Sequence, residues 1–246
     1  MEIGDGLKMY CSAVIVAGGK GTRMGSDVSK QYLELNGKAV LAHTIDQFEK
    51  CGKIDEIIIV AGEDEVDYCT EHIWKKYGFL KIKSIVSGGK RRQDSVYNGL
   101  LGVSPKSQIV LIHDGARPLI KEEQINASIE GAIEVGACVV GVPVKDTIKI
   151  CDQNQLIIQT PSRDTLWAVQ TPQAFQYDRI LKAYKEGIKN DLQATDDAMM
   201  VEALGYPVKM IHGRYDNIKL TTPEDLAIVK GMMDKKKKLL DGEQGL

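Results

Sequence analysis

The chain has no apolar run near the roughly 20 residues that a membrane-spanning helix needs. Its opening residues, MEIGDGLKMYCS, lack the hydrophobic centre of a signal peptide. It also has no excess of positive charge. Thirty-two Lys and Arg against 34 Asp and Glu give a formal net charge of −2, whereas a general nucleic-acid binder is usually basic. The cysteines, Cys11, Cys51, Cys69, Cys138 and Cys151, are odd in number and contain no C-x-x-C pair. That excludes a disulfide frame and a zinc site, and it predicts reduced thiols in a cytoplasmic protein. His43, His72, His113 and His212 have no metal-ligand spacing, and no Ser/His/Asp set is legible. There is no internal repeat. These absences leave a globular enzyme with neither membrane nor nucleic acid as partner.

What is present is an alternation. Apolar, β-branched runs at Ala13–Val16, Ile54–Ala61, Ile82–Val86, Ile109–His113, Ala137–Val144 and Val208–His212 read as strands. Amphipathic stretches near 37–51, 64–77, 91–103, 121–135 and 195–205 read as the helices between them. Near-continuous apolar strands separated by helices predict an α/β fold with a mostly parallel sheet covered on both faces. The 246 residues fit a single domain over 1–246, with loose tails at 1–9 and 235–246. One segment breaks the rhythm: Ile148–Ile150 and Leu156–Ile158 flank CDQNQ, which predicts a β-hairpin. It is too small to stand alone, so an arm over about 145–166 that packs on a second copy of the chain is expected. Thr222, Pro223, Glu224 and Asp225 open a C-terminal helix as N-cap, first helical residue and dipole partners. The lysines at 235–238 read as a solvated run.

The chemistry concentrates after the first strand. Ala17-Gly18-Gly19-Lys20-Gly21-Thr22-Arg23-Met24-Gly25 is glycine-rich and is followed by Lys30. Such a turn brings backbone N–H groups close to an anion, and two cations follow it. Together they suit a nucleoside triphosphate. The segment is neither the NTPase phosphate loop, which needs Gly-Lys-Ser/Thr, nor the dinucleotide fingerprint, whose third glycine would be Met24. Arg117 in HDGARP, Arg163 in TPSRD and Lys219 in DNIKLTTPEDL are further cations for a phosphate-rich ligand. Asp114 ends a strand beside the glycine-rich turn and is placed to meet a divalent metal or a ribose hydroxyl. Asp196 and Asp197 read as structural, with Thr195 capping the helix that they open.

The blocks AGGKGTRM, SKQYLELNGK, GGKRRQDSV, HDGARP, VPVKDTIK, QTPQAF, TDDA and NIKLTTPEDL resemble, in order and from about Ser12 to Met233, the 2-C-methyl-D-erythritol 4-phosphate cytidylyltransferase family. The resemblance implies a Rossmann-like domain and a homodimer joined by an arm. It implies a reaction in which CTP and methylerythritol phosphate give 4-diphosphocytidyl-2-C-methyl-D-erythritol and pyrophosphate, with Mg²⁺ or another divalent cation, in the non-mevalonate isoprenoid pathway. Arg23, Lys30 and Lys219 would be catalytic. Ala17, Gly18, Gly19, Gly89, Ser95 and Asp114 would bind CTP. Arg117, Thr171 and Thr195 would line the methylerythritol phosphate pocket, and Thr147 and Arg163 would reach it from the partner's arm. Mg²⁺ would be held mainly by the CTP phosphates, with Asp114 as the protein group nearest it. A phosphate oxygen attacks the α-phosphorus directly, so no covalent intermediate is required. A ribitol 5-phosphate cytidylyltransferase is the alternative within the same chemistry, and a non-catalytic nucleotide-binding regulator is the alternative outside it.

Overall fold

The computed structural model describes residues 9–19 and 29–243. Its elements in chain order are β1 (Cys11–Val16), the short ribbon β2 (Glu34–Leu35) and β3 (Lys38–Ala39), α1 (Val40–Lys50), β4 (Glu56–Ala61), α2 (Val66–Cys69), β5 (Ile82–Ser87), α3 (Arg92–Leu101), β6 (Ile109–Asp114) and α4 (Glu122–Val135). There follow β7 (Ala137–Pro143), β8 (Ile150–Cys151), β9 (Ile157–Gln159), β10 (Trp167–Gln176), α5 (Tyr177–Lys189), α6 (Asp197–Glu202), β11 (Lys209–His212) and α7 (Pro223–Glu243). Seven strands form one sheet in the order β11-β7-β10-β6-β1-β4-β5. The pairs β1–β4, β1–β6, β4–β5 and β11–β7 are parallel, whereas β10 runs antiparallel to both β6 and β7.

The six apolar runs all become strands of this sheet, because alternate residues bury on opposite faces. Ala13, Ile15, Ile57, Ile59 and Leu111 pack with α1 and α4 residues such as Phe48, Ile125 and Ile129. Val14, Ile58, Val60, Val110 and Ile112 pack with Val96 and Leu100 of α3, Ile180 and Tyr184 of α5 and Val201 of α6. Each such buried aliphatic side chain stabilises the fold by roughly 1.5–3 kcal/mol. α4 stops at Gly136, whose φ of +93° is the left-handed conformation that ends helices and that glycine adopts without strain.

β10 and α5 lie outside the sequence expectation, as does the short ribbon β2–β3. β10 has a polar centre, Gln170-Thr171-Pro172-Gln173, where its pairing with β7 shifts register between Val169 and Gln173. Proline inside a strand argues against that reading unless a bulge accommodates it. α5 buries Tyr177, Ile180, Ala183, Tyr184 and Gly187, a helical stripe among many charges. α7 continues through Glu243, across a stretch expected to be a loose tail. The helix expected over 195–205 is the shorter α6, and its cap is Asp196, whose side chain accepts from the Met199 N–H at 3.0 Å, in place of Thr195. At the start of α7 the Asp225 carboxylate accepts from the N–H groups of Thr221 and Thr222 at 2.8 and 2.9 Å. The hairpin β8–β9 forms its own two-stranded sheet. Among the described residues no helix is long and apolar enough to cross a membrane.

Candidate active site

The chain leaves β1 towards β4 and β5 on one side of the sheet and returns to β6 on the other. Ligands of open α/β sheets gather at such a reversal, outside the carboxyl ends of the strands. Three turns meet there. The backbone ladder carries on past the strand ends, with Ala17 N–H to Val60 O at 2.7 Å, Gly88 N–H to Ala61 O at 2.7 Å and Gly115 N–H to Val16 O at 2.8 Å. The turn after β1 is therefore laid against the turns after β4 and β6. A Cβ on Gly18 would stand 3.3 Å from the Ala61 carbonyl oxygen, and a Cβ on Gly89 would stand 2.4 Å from Asp94 Cβ. Gly89 also donates its N–H to Ser95 Oγ at 3.0 Å, at the first turn of α3. Lys30 is bracketed by fixed neighbours. Gln31 Nε2 donates to Ala17 O at 2.5 Å, and Glu65 accepts from Ser29 Oγ and from Gln31 Nε2.

These turns enclose a cavity of about 950 Å³ lined by Ala17, Gly18, Gly19, Lys30, Gly89, Arg92, Ser95, Asp114 and Lys219. At its floor is an ion cluster. Asp114 Oδ2 lies 3.0 Å from Lys219 Nζ and 3.3 Å from Arg117 Nε, and its Oδ1 lies 3.6 Å from Arg92 Nε. Burial on its own raises the Asp114 carboxyl, but Lys219, Arg92 and Arg117 together outweigh it and hold the group well below the usual carboxylate range. Arg92 forks onto Asp197 at 2.9 and 2.8 Å, the bidentate geometry that fixes a guanidinium. Asp197 is fully buried and also accepts from Tyr184 Oη at 2.6 Å. Burial lowers Arg92, yet the Asp197 charge overrides it and leaves the guanidinium above its ordinary value. His113, behind Asp114, is pushed down to about 3 by burial, so it is a neutral ring at physiological pH.

Of the residues singled out in the sequence, Ala17, Gly18, Gly19, Lys30, Gly89, Ser95, Asp114 and Lys219 line this one cavity. Arg23 lies outside the described residues. Arg117 is buried behind Asp114, with Nη1 donating to Asn217 O at 2.8 Å. Thr171 is buried beneath it, its Oγ1 accepting from the Asp114 N–H at 3.1 Å. Thr195 is exposed just before α6. Thr147 and Arg163 are exposed on the arm, where Arg163 Nη1 donates to Lys145 O at 2.9 Å. Sequence reading missed Arg92 and assigned Asp197 only to a helix dipole. The two are 105 positions apart, and no local pattern marks such a pair.

The chain is similar to known proteins over most of its length. The family model for 2-C-methyl-D-erythritol 4-phosphate cytidylyltransferase matches residues 11–235. The enzyme of that name from Alkaliphilus oremlandii is 56% identical over 222 residues, which is 90% of this chain and 94% of that one. Its namesake from Clostridioides difficile is 48% identical over 230 residues, 94% of this chain and 96% of the relative. Among solved structures, 4-diphosphocytidyl-2C-methyl-D-erythritol synthase from Anaerococcus prevotii superposes with a TM-score of 0.82 at 34% identity. The superposition covers 92% of this chain and 97% of that structure. The Thermus thermophilus 2-C-methyl-D-erythritol 4-phosphate cytidylyltransferase gives 0.74 at 28% identity, over 91% and 98%.

Proposed function

The chain belongs to the 2-C-methyl-D-erythritol 4-phosphate cytidylyltransferase family, and we propose that it transfers the cytidylyl group of CTP to 2-C-methyl-D-erythritol 4-phosphate. The products are 4-diphosphocytidyl-2-C-methyl-D-erythritol and pyrophosphate, an early step of non-mevalonate isoprenoid synthesis. The observation that carries this reading is the presence of Lys30 and Lys219, from opposite ends of the chain, in the cavity formed by the glycine-rich turn and Asp114. The attacking phosphate is already an anion, so no strong base is needed. The barrier is the repulsion between two phosphates and the charge that builds at the α-phosphorus. Two unit charges about 4 Å apart interact by roughly 4 kcal/mol at an effective dielectric near 20. Lys30, Lys219 and Arg23 oppose that repulsion and stabilise the five-coordinate phosphorus. Ala17, Gly18 and Gly19 lie along the nucleotide, and Gly89 and Ser95 face the base. Asp114 meets the ribose, while Arg117, Thr171 and Thr195 shape the acceptor's side.

Among the described residues no group of three or more His, Cys, Asp or Glu could hold a metal, and Asp114 is already balanced by cations. A bound Mg²⁺ would be carried mainly by the CTP phosphates, with Asp114 as the carboxylate of the cavity beside it. When bound there, Mg²⁺ supplies charge neutralisation at the phosphates. The arm supports a homodimer, since Leu156, Ile157 and Ile158 are 66%, 63% and 67% exposed on it and a second copy would cover them. Thr147 and Arg163 then reach the partner's pocket. In this reading residues 1–246 form one cytoplasmic domain. Pyrophosphate release from CTP, with methylerythritol phosphate and ribitol phosphate offered side by side, tests the reaction. Release with the first alone is expected, and release with neither would overturn the reading.

A further inference from the structure

We infer that Arg92 is a positioning residue of this site, held by Asp197 so that it keeps Asp114 fixed and charge-balanced when Lys219 turns to a substrate phosphate. The inference rests on the proposed reaction. Of the three cations around Asp114, Lys219 is the one built to move. Its side chain is 37% exposed, against 11% for Arg117, and it lines the cavity; Arg92 is 31% exposed and lines the cavity too, but two hydrogen bonds tie it to Asp197. Arg117 is tied to the Asn217 carbonyl. A lysine that neutralises Asp114 at 3.0 Å cannot at the same time give its full charge to a phosphate. Its release exposes a buried carboxylate, which a remaining cation must balance. Arg92 meets that need from the opposite oxygen of Asp114. It is itself immobilised through a chain of buried contacts. Gln173 Oε1 accepts from the N–H groups of Asp197 and Ala198 at 3.0 and 2.9 Å. That docks α6 on β10, and Asp197 then clamps the guanidinium. Tyr184 closes the assembly from α5. The assembly ends in the cavity, where Arg92 is among the lining residues.

The test compares Arg92→Lys, a double variant Arg92→Gln with Asp197→Asn, and each combined with Lys219→Ala. The double variant removes both charges of the pair and so guards against misfolding caused by an orphaned buried carboxylate. Rates are expressed per folded molecule, as judged by circular dichroism. A roughly tenfold to hundredfold fall in kcat is expected, the size typical of supporting partners around a charged site, with the KM for CTP little changed. Adding the double variant to Lys219→Ala should lower the rate further, since Asp114 then keeps only Arg117 as a cationic partner. A purely structural role would lower the melting temperature and leave kcat per folded molecule at the parental value. That result, or no further loss when the double variant is added to Lys219→Ala, would overturn the inference. Failure of the reaction itself looks different, because the parent chain would then release no pyrophosphate from CTP.

Discussion

The floor of the cavity and the arm are built on opposite plans. Around Asp114 every charged group has a partner within the same chain, and the anchoring residues Asp197, Gln173 and Thr171 are buried. On the arm Thr147, Arg163 and the apolar Leu156, Ile157 and Ile158 face outwards. The first region balances its own charges, which holds its fixed groups in place for a charged ligand. The second leaves apolar surface uncovered, which a lone soluble chain tends to avoid and an interface uses. Lys219 thus sits where charges are balanced within one chain, and the arm residues sit where apolar surface is left uncovered.

The contrast can be broken from either side. Removing a cavity cation should have the largest effect: Lys30→Ala or Lys219→Ala should lower kcat/KM by roughly 10²–10³-fold, as loss of one preorganised charge-stabilising group does. Circular dichroism should stay parental, and near-parental turnover would remove these lysines from the chemistry. Ile157→Asp on the arm comes next. It should shift the protein to monomer in sedimentation and lower turnover by more than about tenfold, while the isolated fold persists; an unchanged dimer would detach the arm from assembly.

Mixed dimers sharpen the same point. Arg163→Ala paired with Lys219→Ala should regain about half the parental rate, because one of the two shared sites keeps both residues. A rate no higher than either parent variant, with mixed dimers present, would place Arg163 outside the partner's pocket. Gly89→Ala is expected to destabilise by about 1–3 kcal/mol, as overpacking does, since its Cβ would overlap Asp94. Chemical melts measure it. The smallest effect concerns thiols. Burial pushes Cys69 and Cys138 up to about 12, and Cys11 and Cys51 are also buried. Alkylation of the native protein near pH 8 should therefore stop at the exposed Cys151.

Strands that bury on both faces were legible, because continuous runs such as Ile57–Ala61 have few other uses in a soluble chain. β10 was not, since its centre spends polar residues on the site: Thr171 bonds the Asp114 N–H and Gln173 docks α6. The sequence rule failed where function intervened. α5 did carry a signal in the spacing of Tyr177, Ile180 and Tyr184, diluted by its lysines. The cavity residues of the glycine-rich turn, Asp114 and Lys219 were legible as local motifs. Arg92 with Asp197 was not, because their meaning lies in a contact that only the folded sheet creates.

The central claim is that cations from distant segments converge on a cytidine triphosphate. A crystal structure with CTP tests it most directly. The Lys30 and Lys219 amines are expected within hydrogen-bonding distance of the triphosphate, above the turn at Ala17–Gly19. Bound CTP with both amines directed into solvent would contradict it.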